Sequence, residues 1–219
     1  SKTFILNTVI YAGIAATLDV IIGTAIAYIV MRTKIFGRKA LDYLATAALA
    51  VPGVVLGIGY LRTFHSIELP FVGEPLASWW VIIALALMIR RLPYALRACM
   101  AALQQVSLAL EEAAESLGAT KSRTIRRVVV PLMTGGILAG FVTSFATAAV
   151  ELSATIMLVS SEADSPLAYG IYLFMQTPSG RGAGAALGIV AVVIVAAGMF
   201  LSQKIIERDK KLKTSGNDH

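Results

Sequence analysis

The 219-residue sequence is 57% hydrophobic and 15% charged, with a formal net charge of +6 and a mean hydropathy of +0.77. Its apolar residues gather into blocks long enough to cross a hydrocarbon layer of ~30 Å, which excludes an ordinary soluble domain. Strand-like alternation is absent, which argues against an outer-membrane barrel, and the single Cys99 excludes a disulfide framework.

Five apolar spans are expected, so the fold class is all-α: a polytopic helical membrane protein with five transmembrane helices. The first covers 4–30 and ends at Arg32, Lys34, Arg38 and Lys39 around Gly37. The second covers 41–61 and is interrupted by Pro52-Gly53, a weak point that could bend or act as a hinge. A loop over 62–78 carries Glu68, Pro70, Glu74 and Pro75, with His65 read as a loop residue rather than a ligand. Trp79-Trp80 then opens the third span as an interfacial aromatic pair, and a break is expected near Pro93. The fourth span covers 128–159, a second loop with Glu162, Asp164, Pro166 and Pro178 covers 160–180, and the fifth span covers 183–202. Residues 1–205 form the membrane domain and 206–219 a basic tail.

The basic residues have a pattern. Segments 31–40, 120–127 and 204–213 are basic, whereas the loops 62–78 and 160–180 carry acids. The two sets alternate across five spans, which places the N-terminus outside and the C-terminus in the cytoplasm. Membrane orientation accounts for the net charge better than nucleic-acid binding does. A span that starts at once, on the outside and without an initiator Met, leads to the expectation of one missing upstream helix; the second half of a chain in which two such units are fused is the alternative.

Between the third and fourth spans lies a polar island, 107–131. Leu110, Ala113, Ala114 and Leu117 fall at i, i+3, i+4 and i+7, one apolar stripe of a short helix. Glu111, Glu112 and Glu115 lie near Ser107, an N-cap candidate at the end where acids suit the helix dipole. Gly118 is placed to end the helix in a left-handed turn, and Thr120 or Ser122 to cap a second one. Arg123, Arg126 and Arg127 then form a basic collar. So short a helix buries little alone and needs a groove.

Glu112-Ala113-Ala114, three residues, Gly118, nine residues and Val128-x-Val130-Pro131 together resemble the EAA loop of bacterial ABC importer permeases, with Val for Ile and Val for Leu in the last element. The resemblance implies the type I permease architecture in the bacterial inner membrane. It makes this island the coupling helix that sits in a cleft of a cytoplasmic ATPase, with Glu111, Glu112, Ala113, Ala114, Leu117 and Gly118 as coupling residues. It further implies an ATPase dimer, a second permease subunit and a periplasmic or extracellular solute-binding protein as partners, with surrounding lipid and no nucleic acid. ATP and Mg would belong to the ATPase; this chain has no G-x-x-x-x-G-K-[ST] sequence, and the resemblance implies that it binds no cofactor and is no enzyme itself. The segments ELSAT, VPGVVLGIGYLRTF and RRLPYALR are similar to permeases for ferric iron and for 2-aminoethylphosphonate, and more loosely to those for sulfate and molybdate. Ferric iron is the first expectation for the solute, phosphonate or another oxyanion the alternative.

Polar residues within the spans need a reason. A charged side chain at the centre of a helix in lipid costs ~2.5–3.5 kcal/mol on insertion scales. Glu151 and Asp19 are therefore expected to face a cavity or an arginine, with Arg90, Arg91 and Arg97 as the available cations. Either a structural ion pair or a gate in the pathway satisfies this expectation. Ser153 and Thr155 add hydroxyls that need only bond to backbone on a helix. Gly53-x3-Gly57 and Gly136-x3-Gly140 read as close helix-packing faces. A gradient-driven transporter or channel using these charges is the competing class, and a non-transporting anchor a third. No group of Tyr, His or carboxylates reads as a stable metal site.

Overall fold

The computed structural model describes residues 2–68, 73 and 75–215, without the side chains of 202 and 205–215. Expectations for Pro70, Glu74 and residues 216–219 concern positions outside the described residues. The first span is α1 (Lys2–Arg32), and the second is split into α2 (Arg38–Ala47) and α3 (Gly53–Phe64). The third is α4 (Trp80–Gln104), preceded by a short 3-10 turn, Leu76–Ser78. The island holds α5 (Leu108–Ser116), α6 (Lys121–Thr124), a π-helical segment Ile125–Val129 and α7 (Val130–Leu132). Then come α8 (Thr134–Ala149), α9 (Thr155–Leu158), α10 (Leu167–Met175) and α11 (Arg181–Ser215).

Two poles order these helices. At one, Tyr11 stacks on Trp80 with ring centroids 5.5 Å apart, and the Thr8 hydroxyl accepts the Leu167 amide at 2.6 Å. At the other, Arg32 reaches Glu111 of α5. So α1 and α4 run parallel, and the chain passes between the poles five times: α1, α2–α3, α4, α7–α9 and α11. Lys2–Arg32 and Pro178–Leu201 are long and apolar enough to cross a membrane alone; Lys121–Leu132 with Thr134–Ala149 forms a bent pair that qualifies together.

The core is built on small residues. Ala12, Ala15, Ala16 and Ala27 of α1 and Ala95 of α4 are fully buried. A Cβ on Gly23 would come within 3.1 Å of the Leu96 backbone nitrogen, so α1 and α4 touch almost backbone to backbone. Close approach of this kind is what associates helices where burial from water offers no drive. One apolar cluster joins Tyr11, Ile82, Ile83, Leu87 and Leu158; a second joins Ile26, Leu96, Leu103, Val129 and Met133 nearer the island.

Three expectations are corrected here. The fourth span is not one straight helix from Val128, because the chain bends by 70° between Leu132 and Thr134. A π-segment, Gly135-Gly136 and a Thr134 hydroxyl donating to the Pro131 carbonyl at 2.7 Å all sit at the bend, the usual causes of a kink. Nor does that span continue as helix to 159, since α8 stops at Ala149 and Glu151 lies in the turn before α9. Finally, α4 is continuous through the buried Pro93 where a break was expected. Pro lacks only one donor, and packed neighbours make that tolerable in a membrane helix. At the other end, α11 runs from Arg181 to Ser215.

Candidate functional site: the island helix and the buried charge junction

The island folds from its own sequence. Ser107 takes the N-cap position of α5 with extended backbone, although its side chain makes no capping bond. Gly118 is left-handed, with φ 87°. Its amide donates to the Glu115 carbonyl at 2.9 Å and that of Ala119 to Ala114 at 3.0 Å, the paired bonds of a Schellman turn. Leu108, Leu110 and Leu117 are 51%, 47% and 90% exposed. Glu112 and Ala113 are exposed and Ala114 is half-buried. This apolar turn stands open, although a leucine taken fully out of water gains ~1.5–3 kcal/mol. Arg123, Arg126 and Arg127 are exposed beside it.

Glu111 stands apart from the other five expected coupling residues. It is buried and turned inward, where its carboxylate accepts from Arg32 Nε at 2.8 Å and from the Tyr28 hydroxyl at 3.0 Å. The same guanidinium donates to the carbonyls of Leu103 and Val106 at the end of α4. Sequence periodicity placed Glu111 off the apolar stripe but carried no indication of Arg32, 79 residues away.

The second cluster lies where two interrupted spans meet. Glu151 accepts from the amides of Ser153 at 3.1 Å and Ala154 at 3.3 Å, and from the Ser153 hydroxyl. The carboxylate thus holds the turn between α8 and α9. Arg90 Nε stands 3.7 Å from Glu151, and Arg90 Nη1 donates to the Val51 carbonyl at 3.2 Å, in the break between α2 and α3. One arginine therefore ties both interruptions together. Pro52 and Gly53 follow directly, and a Cβ on Gly53 would lie 2.9 Å from both Arg90 Nη1 and Ser153 Cβ.

Asp19 is fully buried and accepts from the Ser144 hydroxyl on α8, while its other oxygen has no hydrogen-bond partner. Arg91 acts electrostatically on both Asp19 and Glu151, and its guanidinium lies 5.9 Å from the Tyr94 ring centre. Arg97 goes elsewhere: it pairs with Asp42 of α2 at 3.1 Å. Among the described residues, no group of three or more His, Cys, Asp or Glu is placed to hold a metal ion.

Residues 19–212 match the family described as binding-protein-dependent transport system inner membrane component. The chain belongs to this family. It is 36% identical to the ferric transport system permease protein FbpB of Actinobacillus pleuropneumoniae over 88% of its own length, but spans only 27% of that relative. It is 30% identical to the molybdenum transport system permease protein ModB of Haemophilus influenzae, covering 88% of this chain and 87% of ModB. A chain of the inward-facing MetNI methionine ABC transporter superposes with a TM-score of 0.72 at 15% identity, over 94% of each chain. Membership and fold thus agree with what the island and the five spans implied for a multi-pass inner membrane component.

In this family member the sequence reading missed the partners of three residues: Ser144 for Asp19, Val51 for Arg90, and Arg32 with Tyr28 for Glu111. None has a local signal, since each pairing joins helices far apart in the chain. The tight seat of Gly53 has a measurable outcome. Gly53→Ala is expected to destabilise the purified permease by ~1–3 kcal/mol through overpacking. A lowered melting temperature in detergent checks it, and the penalty should shrink when Ser153→Gly removes the serine atoms that the new methyl meets, leaving Arg90 Nη1 close to it.

Proposed function

We propose that this chain is the transmembrane subunit of an ATP-driven ABC importer, forming part of the translocation path and engaging a cytoplasmic ATPase through α5. The observation that carries this reading is the open apolar turn of Leu110, Ala113 and Leu117, closed by left-handed Gly118, in a chain of the binding-protein-dependent family. In this reading the island and the C-terminus are cytoplasmic. An ATPase dimer, which binds ATP and Mg, docks on α5 and its counterpart in a second permease unit, and a loaded binding protein approaches the opposite pole. Closure of the ATPase pair moves the coupling helices and switches the bundle. The outer break at Pro52-Gly53 and the turn at Glu151 are where the path opens, with Asp19, Arg90, Arg91, Glu151 and Ser153 as its polar elements.

Ferric iron is the proposed solute, on the strength of the ferric relative. Transport of an oxyanion is the second reading, favoured by the buried Arg91 Nε, which has no hydrogen-bond partner among the described residues, and by the molybdenum relative. The test is purification of the full chain with its candidate ATPase, followed by ATP hydrolysis with different binding proteins, each loaded or empty. Copurification, with turnover raised by one loaded binding protein, supports the importer and names the solute. Purification without any ATPase, with uptake driven by a proton gradient, overturns it.

A further inference from the structure

The island helix is joined to the body of the protein by its chain at both ends, the upstream link from α4 being only residues 105–107, and by side chains. Through its own chain, α5 leads by the Gly118 turn into α6 and the π-segment, the elements its backbone packs against most. Away from the chain itself, among the described residues, it is held by a side-chain fork. Arg32 closes α1, and its guanidinium bonds Glu111 of α5 together with the Leu103 and Val106 carbonyls at the end of α4. The Tyr28 hydroxyl, one turn back on α1, binds the second carboxylate oxygen.

The chemistry suits a rigid joint. Arg presents planar donors in a fixed fork that cannot lose its charge, unlike the single rotatable ammonium of Lys. The carbonyls that it takes up lie at and just beyond the C-terminal end of α4, where a cation also matches the helix dipole. The pair is withdrawn from water, with side chains 14% and 5% exposed, so solvent screens it far less than a surface pair. Beyond the joint, α1 is packed along α4 and α8, and Asp19 of α1 bonds Ser144 of α8.

We infer that Arg32 is a positioning residue for energy coupling: it makes α5 move together with α1 and the end of α4, so that displacement of the docked helix reaches the whole bundle. This rests on the importer reading above. Without the fork, α5 is left with only its chain connections, the link 105–107 from α4 and the Gly118 turn into α6. ATPase docking uses the outward side of α5 and survives, but the push is spent in the loop.

The experiment uses the full chain assembled with its ATPase and binding protein in proteoliposomes, supplied with radiolabelled ferric iron or molybdate, whichever the wild type imports. Arg32→Gln should retain the ATPase subunit and hydrolyse ATP, while solute imported per ATP falls about tenfold, within the usual range of coupling energies. Arg32→Lys should lose less, because it keeps the charge but not the fork. In a Cys99→Ala background, cysteines at 32 and 111 joined by a short bis-thiosulfonate should regain import per ATP, and lose it again on reduction. Unchanged import per ATP in Arg32→Gln overturns the inference and leaves the importer reading intact. Failure of the cross-link to restore coupling also overturns it. If Arg32→Gln does not accumulate, the cross-linked pair and Arg32→Lys decide by the same ratios. A wild-type chain that retains no ATPase overturns the importer reading, and this inference with it.

Discussion

Gly118→Asp is expected to leave a permease that inserts and folds but no longer holds its ATPase. At φ 87° an L-residue costs ~1–2 kcal/mol in the left-handed region. Asp tolerates that region better than most, so strain alone would not unfold a helix turn standing free of the core. No neighbouring atom lies within 4 Å of a Cβ built there. The larger effect comes at the docking surface, where a new carboxylate beside Leu117 would be taken out of water without a partner. Together these should weaken ATPase association by about a hundredfold, equivalent to ~2.7 kcal/mol. Copurification at graded ATPase concentrations reads the loss, and melting temperature reads the fold. A Gly118→Asp chain that is well folded and imports normally would remove α5 from the coupling role.

Glu151→Leu should damage the fold itself. The carboxylate holds the amides of Ser153 and Ala154 and stands opposite Arg90, with only 2% of its side chain exposed. Removing one member of a buried pair costs ~3–5 kcal/mol, mostly because the other charge is left behind. A marked drop in melting temperature is expected, with a smaller drop for Glu151→Gln, which retains the acceptor for the turn. The double change Glu151→Leu with Arg90→Met should recover most of the stability, since apolar replacement of a whole buried pair is often neutral. Uptake by the double variant then separates the two roles. Restored import makes the pair a brace between two helix breaks, whereas a stable protein without import makes it part of the path.

Features specified by neighbouring residues were legible in the sequence. The Gly118 turn is one, because Gly six residues after an acid just inside a helix start leaves few other backbone choices. The interruption at Pro52-Gly53 is another, since Pro supplies no amide and Gly carries no side chain. The turn at Glu151 was not legible. AAVELSATIML contains neither Pro nor Gly, and helix and turn differ there only through a carboxylate that caps its own following amides and an arginine 61 positions earlier. Pro93 misled in the opposite direction, because surrounding helices can accommodate a missing donor that would end a helix in water. The inward orientation of Glu111 depends on which side of α5 meets α1, which no periodicity reveals.

The open turn at Leu117, 90% exposed, also bears on the life of the chain before assembly. A permease copy made without its ATPase presents an apolar, solvated loop end next to a hinge, the sort of surface that chaperones and proteases triage. Docking would hide it. On the proposed importer reading, the leucines that receive force in a finished complex also act as a completeness tag, so that abundance of this subunit should follow the supply of its partner rather than its own rate of synthesis.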